Sequence, residues 1–121
     1  MKLFQYIEKH QRSYLYTTYQ SETLLSHTGD VKIGYVSFKE HDYTPLQEAT
    51  IPKLLLIVQG EGWVLGANNK KVRIKAGEAA FWRAGEYYEI GSATGMTAFS
   101  IEGLDIKPEK WLMPVADSTS L

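Results

Sequence analysis

Cysteine is absent from the 121 residues, which excludes disulfides, thiolate metal sites and a cysteine nucleophile. Histidine occurs three times, as His10, His27 and His41. His41 stands in the polar stretch Lys39-Glu40-His41-Asp42 and is expected on a solvent-exposed turn. No Ser-His-Asp arrangement can be argued from histidines so placed. Gly60-Glu61-Gly62 and the segment Gly91 to Gly95 lack the strand-to-helix setting of a phosphate-binding loop. The cluster with most chemical content is Tyr87-Tyr88-Glu89, because a phenol beside a carboxylate can donate a hydrogen bond or act as an acid. Lys70, Lys71, Arg73 and Lys75 gather four positive charges on one short segment. With no aromatics interleaved on that face, it reads as solvated rather than as a nucleic-acid surface.

The elements that must position these residues are strands. Turn signals recur at short intervals: Thr28-Gly29-Asp30, Gly60-Glu61-Gly62, Asn68-Asn69, Ala76-Gly77-Glu78, Ala84-Gly85-Glu86 and Ala93-Thr94-Gly95. Between them lie runs rich in Val, Ile, Tyr, Phe, Trp and Thr, the pattern of an all-β sandwich or barrel. Strands are expected over Ser13–Tyr19, Val31–Phe38, Lys53–Gln59, Trp63–Leu65, Lys71–Lys75, Ala79–Trp82, Tyr87–Ile90 and Met96–Glu102. Lys53–Gln59 is nearly all apolar and should be covered on both faces. In the next hairpin Lys71, Arg73 and Lys75 point one way, Val72 and Ile74 the other.

Composition fits one soluble domain: 44% hydrophobic and 22% charged residues. Thirteen Lys+Arg against 14 Asp+Glu give a net charge of -1, so electrostatics makes no case for nucleic acid or an acidic membrane. The start, Met1-Lys2-Leu3-Phe4-Gln5-Tyr6, runs at once into Glu8 and Lys9, and the longest strongly apolar run is Leu54 to Val58. A cytoplasmic protein is expected.

From about Phe38 to Gly103 the chain resembles the cupins, small barrels of the jelly-roll type. Gly77, Gly85 and the spacing to Tyr88 and Ser92 match the second family motif, with Tyr88 at its histidine and Ser92 at its asparagine. Anchoring the last glycine of the first motif at Gly60 places Lys53 at its glutamate and Gln47 and Ala49 at its two histidines, or Leu46 and Glu48 with a longer gap. The runs Ile51 to Val64 and Gly77 to Trp82 carry the wider likeness.

The resemblance implies a single-domain cupin-type jelly-roll β-barrel. It would have an N-terminal strand extension over 1–37, a core over 38–103 and a C-terminal docking segment and frayed tail over 104–121. Cupins hold a metal with imidazoles and a carboxylate, but the matched positions carry an amide, a methyl, an ammonium and a phenol. No metal and no cofactor is therefore expected there; a shifted site at His41 or Glu48 stays open. The resemblance implies that Gln47, Lys53 and Tyr88, with Trp63, bind a small polar or anionic molecule in the barrel. Trp82 is a further candidate to line the pocket. A second possibility is a metal-independent isomerase or epimerase of a sugar-like substrate, with Tyr88 as acid and Lys53 or Glu89 as base. A third is an interaction module with a plugged barrel. Lys53 could instead pair with Glu48 or Glu102. A homodimer is expected, because the doubly apolar Leu54–Val58 strand and the aromatic ends need a cover.

Overall fold

The computed structural model of the chain describes residues 1–6, 11–14, 17–21, 23–66 and 68–115. His10 and the expected tail beyond Val115 lie outside these residues. The described residues form eleven strands: β1 (Lys2–Gln5), β2 (Gln11–Tyr14), β3 (Thr17–Gln20), β4 (Lys32–Phe38), β5 (Gln47–Glu48), β6 (Lys53–Leu65), β7 (Lys71–Lys75), β8 (Glu78–Trp82), β9 (Tyr87–Gly91), β10 (Met96–Glu102) and β11 (Met113–Val115). One short 3-10 turn, Pro108–Lys110, precedes β11.

The longest strand, β6, organises the sheet. Its first half pairs antiparallel with β8 and β10, within the order β11-β1-β8-β6-β10-β4. Its second half pairs with β7 and β9, and β9 in turn carries β5. The glycines read as a turn at 60–62 are instead part of this continuous strand. Thr97 faces Gln59 while Ala98 faces Ile57, so Val58 is an extra, unpaired residue: a β-bulge that bends β6 from one half of the sheet to the other. Gly60 follows at φ 79°, and a Cβ there would fall 2.3 Å from the Gly95 carbonyl oxygen. Only glycine permits both the backbone angle and the approach.

The bend folds the two halves over one core. Leu55, Ile57, Ala80, Trp82 and Ala98 from the larger half meet Val64, Val72, Ile74, Tyr88 and Ile90 from the smaller. The alternation of β7, exposed Lys71, Arg73 and Lys75 against buried Val72 and Ile74, runs as expected. Asn69, at φ 57°, takes the left-handed conformation of the β6–β7 connection, and its N–H donates to the Gly66 carbonyl at 3.0 Å.

A second apolar cluster lies on the outer side of the larger half. Leu54, Leu56, Phe81 and Ile101 are covered there by Ile106 and Leu112, with Leu24 and Leu25 packed at the margin. Leu54 to Ile57 is thus buried on both faces by the chain itself, without a partner subunit. The boundary drawn at 37/38 coincides with no break in the sheet: it falls inside β4, and β1 lies between β8 and β11. The strand expected over Ser13–Tyr19 is two strands, since β2 and β3 pair in the register Tyr14↔Thr17.

Candidate functional site

One polar layer crosses the end of the core. On β6 the inward positions before the bulge are Lys53, Leu55 and Ile57, so Lys53 closes the row. In the sheet register it stands between Trp82 on β8 and Glu102 on β10. From the smaller half, Tyr88 on β9 and its cross-strand partner Gln47 on β5 complete the layer. Three residues expected at the site, Gln47, Lys53 and Tyr88, are therefore brought together.

Lys53 is 9% exposed. Its Nζ donates to Ser100 Oγ at 2.8 Å and lies 3.3 Å from Glu102 Oε1. It also sits 5.3 Å from the centre of the Tyr88 ring, within reach of a cation–π attraction. The Tyr88 hydroxyl donates to Gln47 Oε1 at 2.9 Å. Burial, helped by the negative charge of Glu102, pushes the Tyr88 phenol above its usual range, so it stays protonated and acts as a neutral donor. The Trp82 ring packs at 5.2 Å from that of Tyr88, tilted by 41°. Its Nε1 is buried and has no hydrogen-bond partner among the described residues.

Ser100 and Trp82 complete the set. Ser100 was missed, although it is the hydroxyl in the inward row Met96, Ala98, Ser100 of β10. Trp63 does not join the layer. The extra residue Val58 reverses the alternation, so that Val64 points inward and Trp63 outward. Its indole lies across Gly91 on the outer face, where a Cβ would meet Cζ2 at 2.3 Å. Glu89 alternates with inward Tyr88 and Ile90 and also faces away, so it cannot serve as a base in the layer. The basic row of β7 does carry an aromatic neighbour, because Trp63 is the cross-strand partner of Arg73.

The donor set does not fit a cupin-type metal. At the matched positions stand the Gln47 amide, the buried methyl of Ala49, the Lys53 ammonium and a phenol that keeps its proton. An ammonium repels a cation, and a neutral phenol is a poor ligand. Among the described residues no group of three or more His, Cys, Asp or Glu side chains could hold a metal ion. His41 is on the exposed turn after β4, at φ 69° and 3.3 Å from Glu40. Ser92, at the motif asparagine, has a structural role: its hydroxyl donates to the Glu61 carbonyl at 2.6 Å and accepts from the Gly95 N–H at 2.8 Å.

No family model matches the sequence, and no curated protein matches it. Solved structures do match. A cupin superfamily protein of Desulfitobacterium hafniense is similar at 20% identity and TM-score 0.59, over 70% of this chain and 77% of that one. A predicted oxalate decarboxylase of Thermotoga maritima is similar at 24% identity and TM-score 0.55, over 60% and 64%. Drosophila melanogaster CENP-C bound to CAL1 is similar at 22% identity and TM-score 0.52, over 59% and 63%. Among the described residues no helix is long and apolar enough to cross a membrane. The antiparallel topology, the bent β6 and these likenesses together identify the fold of this chain as the cupin fold.

Proposed function

We propose that this chain is a metal-independent binding protein that takes a small anionic or carbonyl-bearing molecule at the layer of Gln47, Lys53, Trp82 and Tyr88. The observation that carries the reading is the buried, unpaired Nε1 of Trp82. Leaving such a donor unmade costs about 1–3 kcal/mol, which a ligand oxygen accepting from it would recover. Lys53, beside Trp82 in the register, supplies the positive charge for a carboxylate. Gln47 is exposed and the Glu102 side chain is 28% exposed, so the ligand would enter past Gln47 and take the place of Glu102 on the ammonium. Thermal-shift titration with acetate, lactate, glycine and glucose tests this. At least one is expected to raise the Tm, with the gain lost in Trp82→Phe. No shift from any of them, or an undiminished shift in Trp82→Phe, overturns the reading.

A second reading rests on a different observation. The outer face at the edge of the larger half exposes Ile33 (64%), Tyr35 (66%) and Phe99 (39%). We propose that a second copy of the chain covers this strip. The complex of CENP-C with CAL1 belongs to that protein, but it supports the idea that a barrel of this shape can present a binding surface.

A further inference from the structure

The outer face of the smaller half carries a set of groups that the barrel layer does not use. Lys71, Arg73 and Lys75 all stand on it, alternating with the buried residues of β7. Trp63 is the cross-strand partner of Arg73, and Glu61 of Lys75. Glu61, Trp63, Arg73 and Lys75, with Glu78 and Thr94, border a groove of about 530 Å³, and Lys71 stands outside its lining, beside the Trp63 ring. That volume lies within the range of small-molecule sites, roughly 300–1,000 Å³.

The groove has a fixed wall. The Trp63 ring is seated on Gly91, where any larger residue would displace it. The glycine explains where the ring lies; it does not explain why cations gather around it. Lys71 Nζ stands 4.1 Å from the ring centre. Among the described residues none of the three basic side chains forms an ion pair, although two carboxylates are close by in the fold. Glu78 is occupied otherwise, accepting the Lys75 backbone N–H at 3.0 Å.

We propose that this groove binds a small molecule made of a flat ring and an anionic group, with the ring against the Trp63 indole and the anion on Arg73 and Lys75. An indole offers a stacking face to any flat ring, and a guanidinium offers a planar fork matched to phosphate or carboxylate oxygens. Lys71 can swing from the indole or close over the anion. Thr94 contributes a hydroxyl at the rim. Glu61 and Glu78 set the charge of the ligand: Arg73 and Lys75 stand in the groove against two carboxylates, with Lys71 beside the indole, a balance that suits an anion of low charge and disfavours a polyanionic strand.

Calorimetric titration with adenosine monophosphate, which combines ring and anion, tests the proposal against adenosine, inorganic phosphate and a thymidine oligonucleotide. Adenosine monophosphate is expected to bind, with adenosine and phosphate each at least ten-fold weaker. Arg73→Gln, an exposed change that leaves the core untouched, is expected to weaken it at least ten-fold, and Trp63→Ala likewise if it folds. Gln47→Ala is expected to leave the affinity unchanged, which separates this groove from the barrel layer. Absence of binding, phosphate binding as tightly as adenosine monophosphate, or an unchanged affinity in Arg73→Gln overturns the proposal. Tighter binding of the oligonucleotide than of adenosine monophosphate overturns it too, in favour of a polyanion surface.

Discussion

Tyr88 stands where the cupins carry a histidine, and the substitution changes what that position can do. An imidazole offers a lone pair to a cation, whereas a buried phenol beside Glu102 holds its proton and offers a donor. The donor is already used by Gln47, and Lys53 is already used by Ser100 and Glu102. The layer is therefore a satisfied network with one unsatisfied member, Trp82, which favours binding over proton transfer. The raised phenol has a consequence for stability. The unfolded chain releases this proton near the ordinary tyrosine value of 10.0, while the folded chain keeps it to higher pH. Stability from Tyr88 is thus intact below that value and is lost as pH climbs through the raised one. Tyr88→Phe should cost about 1 kcal/mol near neutrality, for the lost hydrogen bond to Gln47. It should then lose less stability than the parent as pH rises past about 10. Urea unfolding at stepped alkaline pH checks this; parallel losses in parent and variant would refute it.

At the scale of elements, β6 decides what faces where. Before the bulge its odd-numbered residues point inward; after it the even-numbered ones do. Gly60 makes the transition possible, and its replacement separates two effects. Gly60→Ala meets both a φ of 79° and the Gly95 carbonyl, so a loss of about 2–4 kcal/mol is expected. Gly85→Ala meets a φ of 91° but nothing within 4 Å, so only backbone strain of about 1 kcal/mol should appear. Equal losses in denaturant melts would contradict this account of the bend. The same bulge marks the limit of what could be read from the sequence. Strand positions and the amphipathic β7 hairpin were legible, because period-two alternation encodes them locally, whereas the meeting of Gln47, Lys53 and Tyr88 was legible only through the resemblance to the cupin motifs. The outward turn of Trp63 was not. A bulge is set by the partner strand, here Thr97 and Ala98, and nothing near Val58 announces it. Ser100 joins Lys53 through strand pairing that no local pattern reveals, and the same pairing sets Trp82, a candidate from the sequence, beside Lys53.

At the scale of the whole molecule, two apolar surfaces must be accounted for. The outer face over Leu54, Leu56 and Phe81 looked like a reason for dimerisation, but Ile106 and Leu112 from the chain's own C-terminal segment cover it. The cost of water on that face is removed within one chain. The strip at β4 is different. Among the strands of the larger half, β4 stands at the end of the order, and its outward residues Ile33 and Tyr35 are exposed beside Phe99, against which the Tyr35 ring packs edge-on at 5.8 Å. Among the described residues this seven-residue strand, without proline, is paired on one side only and lies next to an apolar face, the combination that pairs readily with another strand. Antiparallel pairing of two β4 strands about a twofold axis would join the sheets of two chains and bury both strips. Light scattering at about 50 µM, well above a Kd of roughly 1 µM for a standard interface, should then give twice the chain mass of 13.7 kDa. Ile33→Lys with Tyr35→Lys changes only exposed positions, so it should return the mass to a single chain while the melting temperature of the barrel stays close to that of the parent. A parent already at the mass of one chain would leave the strip to some other partner and remove the second copy from the account.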